Sequence, residues 1–121
     1  MIKRALVVDK NAVPRSAIVI LLQRSGWEAI GAADGAEALV LAGVWHFDLV
    51  LTDPEPLKVP PSQLVRKLKG ELSPPAIPVI LLVEHAQWVG EVGMLADEVL
   101  VKNGEIEKQL HSKLAQLFGS A

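Results

Sequence analysis

Five short apolar runs punctuate the chain: Ala5–Val8, Ala29–Ile30, Leu49–Leu51, Val79–Val83 and Val99–Val101. Most are rich in valine, isoleucine and leucine and do not alternate with polar residues. Runs of this kind suit strands covered on both faces, as in a parallel sheet. The second run is weak and is assigned from its position between two helical segments.

Between the runs the pattern turns helical. From Ala12 to Ser25, apolar residues recur at Val13, Ala17, Ile20 and Leu21, and Gly26 follows as a stop. Asp34-Gly35 precedes Ala36–Ala42, a run of good helix formers that Gly43 is expected to close. Pro61 suits a first helical position, where its missing N–H does no harm. Leu64, Val65 and Leu68 then share a face opposite Arg66, Lys67 and Lys69, before Gly70. From Glu105 onward, Ile106, Leu110, Leu114 and Leu117 mark an amphipathic helix that ends at Gly119. The stretch Glu84–Asp97 is the least regular. It holds Gly90 and Gly93, each costing about 1 kcal/mol against alanine inside a helix, and predicts a short or distorted helix. Leu72–Pro78 reads as a proline-rich connection. The order is βαβαβαβαβα, which predicts an α/β fold with a doubly wound, five-stranded parallel sheet in one domain spanning residues 1–121.

Composition narrows the function classes. Half of the residues are hydrophobic and 21% are charged, as in a globular chain. The net charge of -2 gives no electrostatic case for nucleic acid or an anionic membrane. There is no cysteine, which excludes disulfides, thiolate metal sites and a cysteine nucleophile, and fits a reducing cytoplasm. The longest apolar run, Ala17 to Leu22, falls far short of the roughly 20 residues of a membrane span. The basic pair Lys3-Arg4 precedes a run too short for a signal-peptide core. A soluble, cytoplasmic protein is expected. His46, His85 and His111 are scattered and lack ligand spacing. No Gly-x-Ser-x-Gly elbow and no glycine-rich phosphate cradle is present, so no enzyme is expected. The same absence leaves a flavodoxin-like small-molecule-binding domain only as a minor alternative.

Functional sites in such sheets lie beyond the carboxyl ends of the strands. The first run ends in Asp9-Lys10-Asn11, the third in Asp53-Pro54-Glu55-Pro56 and the fifth in Lys102-Asn103-Gly104. Two carboxylates and a lysine are thus expected at one edge of the sheet.

These residues resemble the receiver domains of response regulators, over nearly the whole chain. Ala5-Leu6-Val7-Val8-Asp9 looks like the family's first strand and its acidic end. Ala33-Asp34-Gly35-Ala36-Glu37-Ala38-Leu39 is similar to the start of its second helix. Phe47-Asp48-Leu49-Val50-Leu51-Thr52-Asp53 is similar to its third strand. Ile77-Pro78-Val79-Ile80-Leu81-Leu82 and Val101-Lys102 look like the fourth and fifth strands. The resemblance implies a CheY-like, flavodoxin-like (βα)5 three-layer sandwich. It implies a phosphoacceptor at Asp53, a phosphoryl partner at Lys102, and magnesium held through Asp9 and Asp53. As a hard cation, magnesium would take oxygen ligands, and Glu55 is a further candidate. Phosphoryl transfer needs positioning and charge neutralisation more than covalent help. The implied partners are a histidine kinase or a downstream signalling protein, and a homodimer is a family-based expectation.

The chain departs from the family at several positions. Lys10 stands where a second acidic residue normally binds the metal, so magnesium binding is expected to be weak. Glu55 and Glu84 add negative charge but occupy no expected ligand position. Val83 stands where a serine or threonine would bind the phosphoryl group, and Val99 where an aromatic would swing inward. Asn103 replaces a proline after the lysine. Two readings follow: a receiver-like protein-binding module with impaired phosphorylation chemistry, or a working but atypical receiver. The Lys10 ammonium is expected to reach Asp53 in place of the missing metal charge. Trp27 and Trp45 are expected to cap the core. Trp88 is weighed as a core residue or a partner-binding hot spot.

Overall fold

The structure is a computed structural model, which describes residues 2–54, 61–68, 77–84 and 96–119. All five predicted strands form: β1 (Arg4–Val8), β2 (Glu28–Ala32), β3 (Leu49–Thr52), β4 (Val79–Val83) and β5 (Glu98–Val101). They make one parallel sheet in the order β2-β1-β3-β4-β5. The described helices are α1 (Ala12–Arg24), α2 (Gly35–Val44), α3 (Pro61–Arg66) and α4 (Ile106–Phe118). The helix expected between β4 and β5, with His85 and Trp88, lies outside the described residues, as do Glu55 and most of the proline-rich connection.

The apolar runs lack alternation because both faces of the sheet are covered. Ala5, Val7, Leu49, Leu51, Ile80 and Leu82 pack on one face against Ile18 and Leu22 of α1 and Leu110 and Leu114 of α4. Leu6, Val8, Val50 and Val79 pack on the other face with Ala38 of α2 and Leu64 and Val65 of α3. The direction of winding reverses between β1 and β3, so their carboxyl ends flank the crevice where such sheets carry their sites.

Local chemistry sets the helix ends. The Asp34 side chain accepts a 2.8 Å hydrogen bond from the Glu37 N–H, and Glu37 reaches back to the Ala33 N–H, a reciprocal cap on the first turn of α2. At the far end of α1, Gly26 takes φ 89°. The Gly26 N–H donates to the Gln23 carbonyl and the Trp27 N–H to the Leu22 carbonyl, a Schellman turn that glycine accommodates without strain. Pro14 is tolerated because it sits in the first turn of α1.

Three expectations need correction. The buried stripe of α1 is Ile18 and Leu22, whereas Val13 is 84% exposed, Ile20 is 47% exposed and Ala17 also faces solvent. This helix is apolar on several sides, so contact with the sheet, not periodicity, selects its face. Gly43 does not end α2, which runs on through Val44 to a cap at Trp45. Trp45 does not cap the core. It is 45% exposed and lies under the Arg4 guanidinium at 4.6 Å, while Arg4 also pairs with Glu28. Trp27 does pack at the core margin, edge-on to Phe118.

Candidate functional site

Strand register assembles the site. Val8 pairs with Thr52, so Asp9 and Asp53 emerge side by side just beyond β1 and β3. Val83 pairs with Val101, which sets Glu84 beside Lys102 at the ends of β4 and β5. The expected edge of two carboxylates and a lysine is therefore present, with Glu84 as a fourth charged member. Pairing of β4 with β5 at equal offset was the signal for Glu84, but the sequence alone does not reveal that register.

Asp9 is fully buried, and both of its oxygens are engaged. Its Oδ1 accepts from the Asn11 N–H at 2.9 Å, and its Oδ2 accepts from Lys102 Nζ at 3.1 Å. Its main-chain carbonyl accepts from Arg15 of α1 at 2.8 Å. The Arg15 stem crosses directly over Gly31 of β2, where a Cβ would lie 3.2 Å from Arg15 Cγ and Cδ. Glycine at that position thus admits the side chain that holds the Asp9 main chain.

Lys102 pairs with two carboxylates, Asp9 Oδ2 at 3.1 Å and Glu84 Oε1 at 3.2 Å. Its side chain is 9% exposed, while that of Glu84 is 64% exposed. Burial pulls the lysine pKa down. The hydrogen bond and charge of Asp9, followed by those of Glu84, outweigh it and hold the pKa above the ordinary lysine value. Lys102 therefore carries a full positive charge at neutral pH.

Asp53 is nearly buried, and its Oδ2 accepts a 3.2 Å hydrogen bond from the Lys10 main-chain N–H. Lys10 and Asp53 are thus joined through the backbone, while the Lys10 side chain is exposed. Thr52, also buried, turns its hydroxyl to the Asp53 carbonyl. Val83 is fully buried and Val99 half-buried. Neither carries a polar side-chain atom.

A small cavity of about 90 Å³ opens beside Asp53, lined by Lys10, Asn11, Asp53, Pro54, Leu82, Glu84 and Lys102. A wider depression of about 560 Å³ adjoins it over the start of α1. The residues present fit a magnesium ion poorly. Both oxygens of Asp9 are taken by internal donors, and Lys10 and Lys102 line the same cavity as Asp53 and Glu84. Such a wall offers a dication little net attraction.

Asn103 has a structural role in this turn. Its Oδ1 accepts from the Glu105 N–H and from Gln109 Nε2. Gln109 in turn accepts from the Val101 N–H at 3.0 Å and donates to the Val101 carbonyl at 2.9 Å. One amide side chain thus engages both outward main-chain groups of Val101, whose carbonyl also accepts from the Asn103 N–H at 3.0 Å, at the end of the edge strand that precedes Lys102.

No protein-family model matches the chain. The chain is similar to the polar-differentiation response regulator DivK of Brucella ovis, with 29% identity over 115 residues, 95% of this chain and 88% of that protein. Among solved structures it is similar to the response regulator TrrA of Thermotoga maritima, determined in complex with Mg(2+)-BeF. That likeness has a TM-score of 0.83 and 27% identity, and covers 97% of this chain and 100% of that one. The chemotaxis response regulator CheY4 of Vibrio cholerae shares the fold at a TM-score of 0.85 and 24% identity, covering 98% of this chain and 100% of that one. No helix among the described residues is long and apolar enough to cross a membrane.

Proposed function

We propose that this response-regulator receiver domain of two-component signalling acts chiefly as a protein-binding module, with impaired phosphorylation chemistry at Asp53. The receiver reading is supported by the sequence and structural relatives, by the order of the sheet, and by Asp9, Asp53 and Lys102 meeting at its carboxyl edge. The observation that carries the impairment is the composition of the cavity wall. Lys10 and Lys102 offset two of the three negative charges of Asp9, Asp53 and Glu84, so only a small net potential remains to bind a dication. Buried Val83 offers no hydroxyl to an arriving phosphoryl group, and half-buried Val99 no aromatic ring to move in response.

In this reading Asp53 is the acceptor position, Lys102 its cationic neighbour, and Asp9 a carboxylate committed to Lys102. Lys10, Val83 and Val99 are the positions where the switch has been altered, and Glu55 remains a candidate metal ligand. Residues 1–121 act as one receiver unit. The partner is a signalling protein, either a histidine kinase or a downstream regulator, and the surface is open to homodimerisation. A working but atypical receiver is the second reading, favoured by the Asp53 carboxylate lining the cavity.

Intact mass after incubation with acetyl phosphate and magnesium, with Asp53→Asn as control, separates the two. The impaired reading expects no phosphoryl adduct under conditions that label an ordinary receiver. An adduct on the wild type and none on the control would establish the second reading.

A further inference from the structure

We propose that Glu84 is a displaceable internal counter-ion for Lys102: an oxyanion in the cavity beside Asp53 takes the ammonium from Glu84 and frees the Glu84 carboxylate at the end of β4. The inference rests on the receiver reading of this site and assigns Glu84 a positioning role in it.

The two carboxylates that share the ammonium are unequal. Asp9 is fully buried and fixed by the Asn11 N–H as well as by Lys102. Glu84 contributes one 3.2 Å contact from a side chain that is 64% exposed. Leaving Asp9 without its cation would strand a charge in the interior, which is strongly unfavourable. An exposed ion pair, by contrast, holds its geometry by roughly fivefold at most. A competing anion therefore removes Glu84 and leaves Asp9 in place.

The geometry brings the competitor to the same ammonium. Lys102, Glu84 and Asp53 line one small cavity, so an anionic group held there lies against Lys102 and also repels the Glu84 carboxylate. Attraction by the lysine and repulsion between like charges act in one direction. Glu84 directly follows Val83, the last residue of β4, so the exchange takes place at the end of that strand. The response needs no hydroxyl at Val83. It works by expelling a carboxylate where the family is expected to draw a hydroxyl inward.

The test uses inorganic phosphate as the probe, in the Asp53→Asn protein, where no covalent adduct can form. Backbone amide shifts of residues 84 and 102 are followed during titration, with and without Glu84→Gln. The expected result is phosphate-dependent movement of both amides, with Glu84→Gln tightening binding by roughly twofold to fivefold. That gain should shrink in about 1 M potassium chloride, where the screening length is about 3 Å. A structural effect of the substitution would survive the salt. Equal affinities with and without Glu84→Gln, or no movement of either amide, would overturn the proposal. Because the readout needs neither magnesium nor transfer chemistry, its failure leaves the phosphorylation reading intact. A phosphoryl adduct on the wild type would overturn that reading and leave this one standing.

Discussion

The Lys102 ammonium meets the Asp9 carboxylate at 3.1 Å with 9% and 0% of their side chains exposed, making this the buried ion pair on which the carboxyl edge of the sheet is built. Removing one partner of such a pair leaves an uncompensated charge in the interior. Lys102→Met is expected to cost about 3–5 kcal/mol of stability, read from urea unfolding. The double variant Asp9→Leu/Lys102→Met should lose less than the single, because it strands no charge. A single variant within about 1 kcal/mol of wild type would show that solvent reaches the pair more freely than its burial implies.

Lys102 also links stability to alkaline pH. Its pKa in the folded protein lies above that of a free lysine, about 10.4. A group whose folded pKa is raised contributes fully below its unfolded pKa and loses that contribution as pH rises through the folded value. The wild type should therefore keep a level contribution from this pair up to about pH 10 and weaken above it. Urea midpoints measured from neutral pH upward check this. The difference between wild type and Lys102→Met should narrow in the alkaline range, and a constant difference would contradict the assignment.

Gln109 offers a separate test on the edge strand. Its amide occupies both the N–H and the carbonyl of Val101, at 3.0 and 2.9 Å. Gln109→Leu keeps the side-chain bulk but takes the acceptor from the Val101 N–H, while the Val101 carbonyl retains the Asn103 N–H. A loss of about 1–3 kcal/mol is expected. Amide hydrogen exchange at Val101 should accelerate more than at Leu100, whose main chain is inside the sheet. Unchanged exchange at Val101 would mean that the glutamine is not what closes this edge.

The alternation of elements was legible because each apolar run is a strand with helices on both faces, and burial on both faces removes the polar alternation a one-sided strand would show. Asp34-Gly35 was legible as the approach to α2, and the structure adds that Asp34 caps it across three residues. Asp9, Asp53 and Lys102 were legible as an edge because each directly follows a strand, and parallel strands all end on one side. The buried face of α1 was not legible. Val13, Ala17 and Ile20 satisfy helical spacing as well as Ile18 and Leu22 do, and the docking of the helix on the sheet chose between them. Gly43 misled because a glycine ends a helix only where the backbone turns, and here the hydrogen bonds continue to Trp45.

By itself, then, the sequence determined the order of the strands and of the described helices, the burial of the strands on both faces, and that Asp9, Asp53 and Lys102 reach one edge of the sheet, because all of these follow from short-range periodicity and from chain direction. Tertiary structure alone decided the pairings at that edge. Lys102 and Asp9 are 93 residues apart, and their ion pair exists only once β1, β3, β4 and β5 lie in that order. The register of β4 on β5 brings Glu84 to the same lysine, and the backbone turn after β1 gives Asp53 the Lys10 N–H. Charge is written in the residues, but its compensation depends on distances of about 3 Å that only the packed sheet establishes.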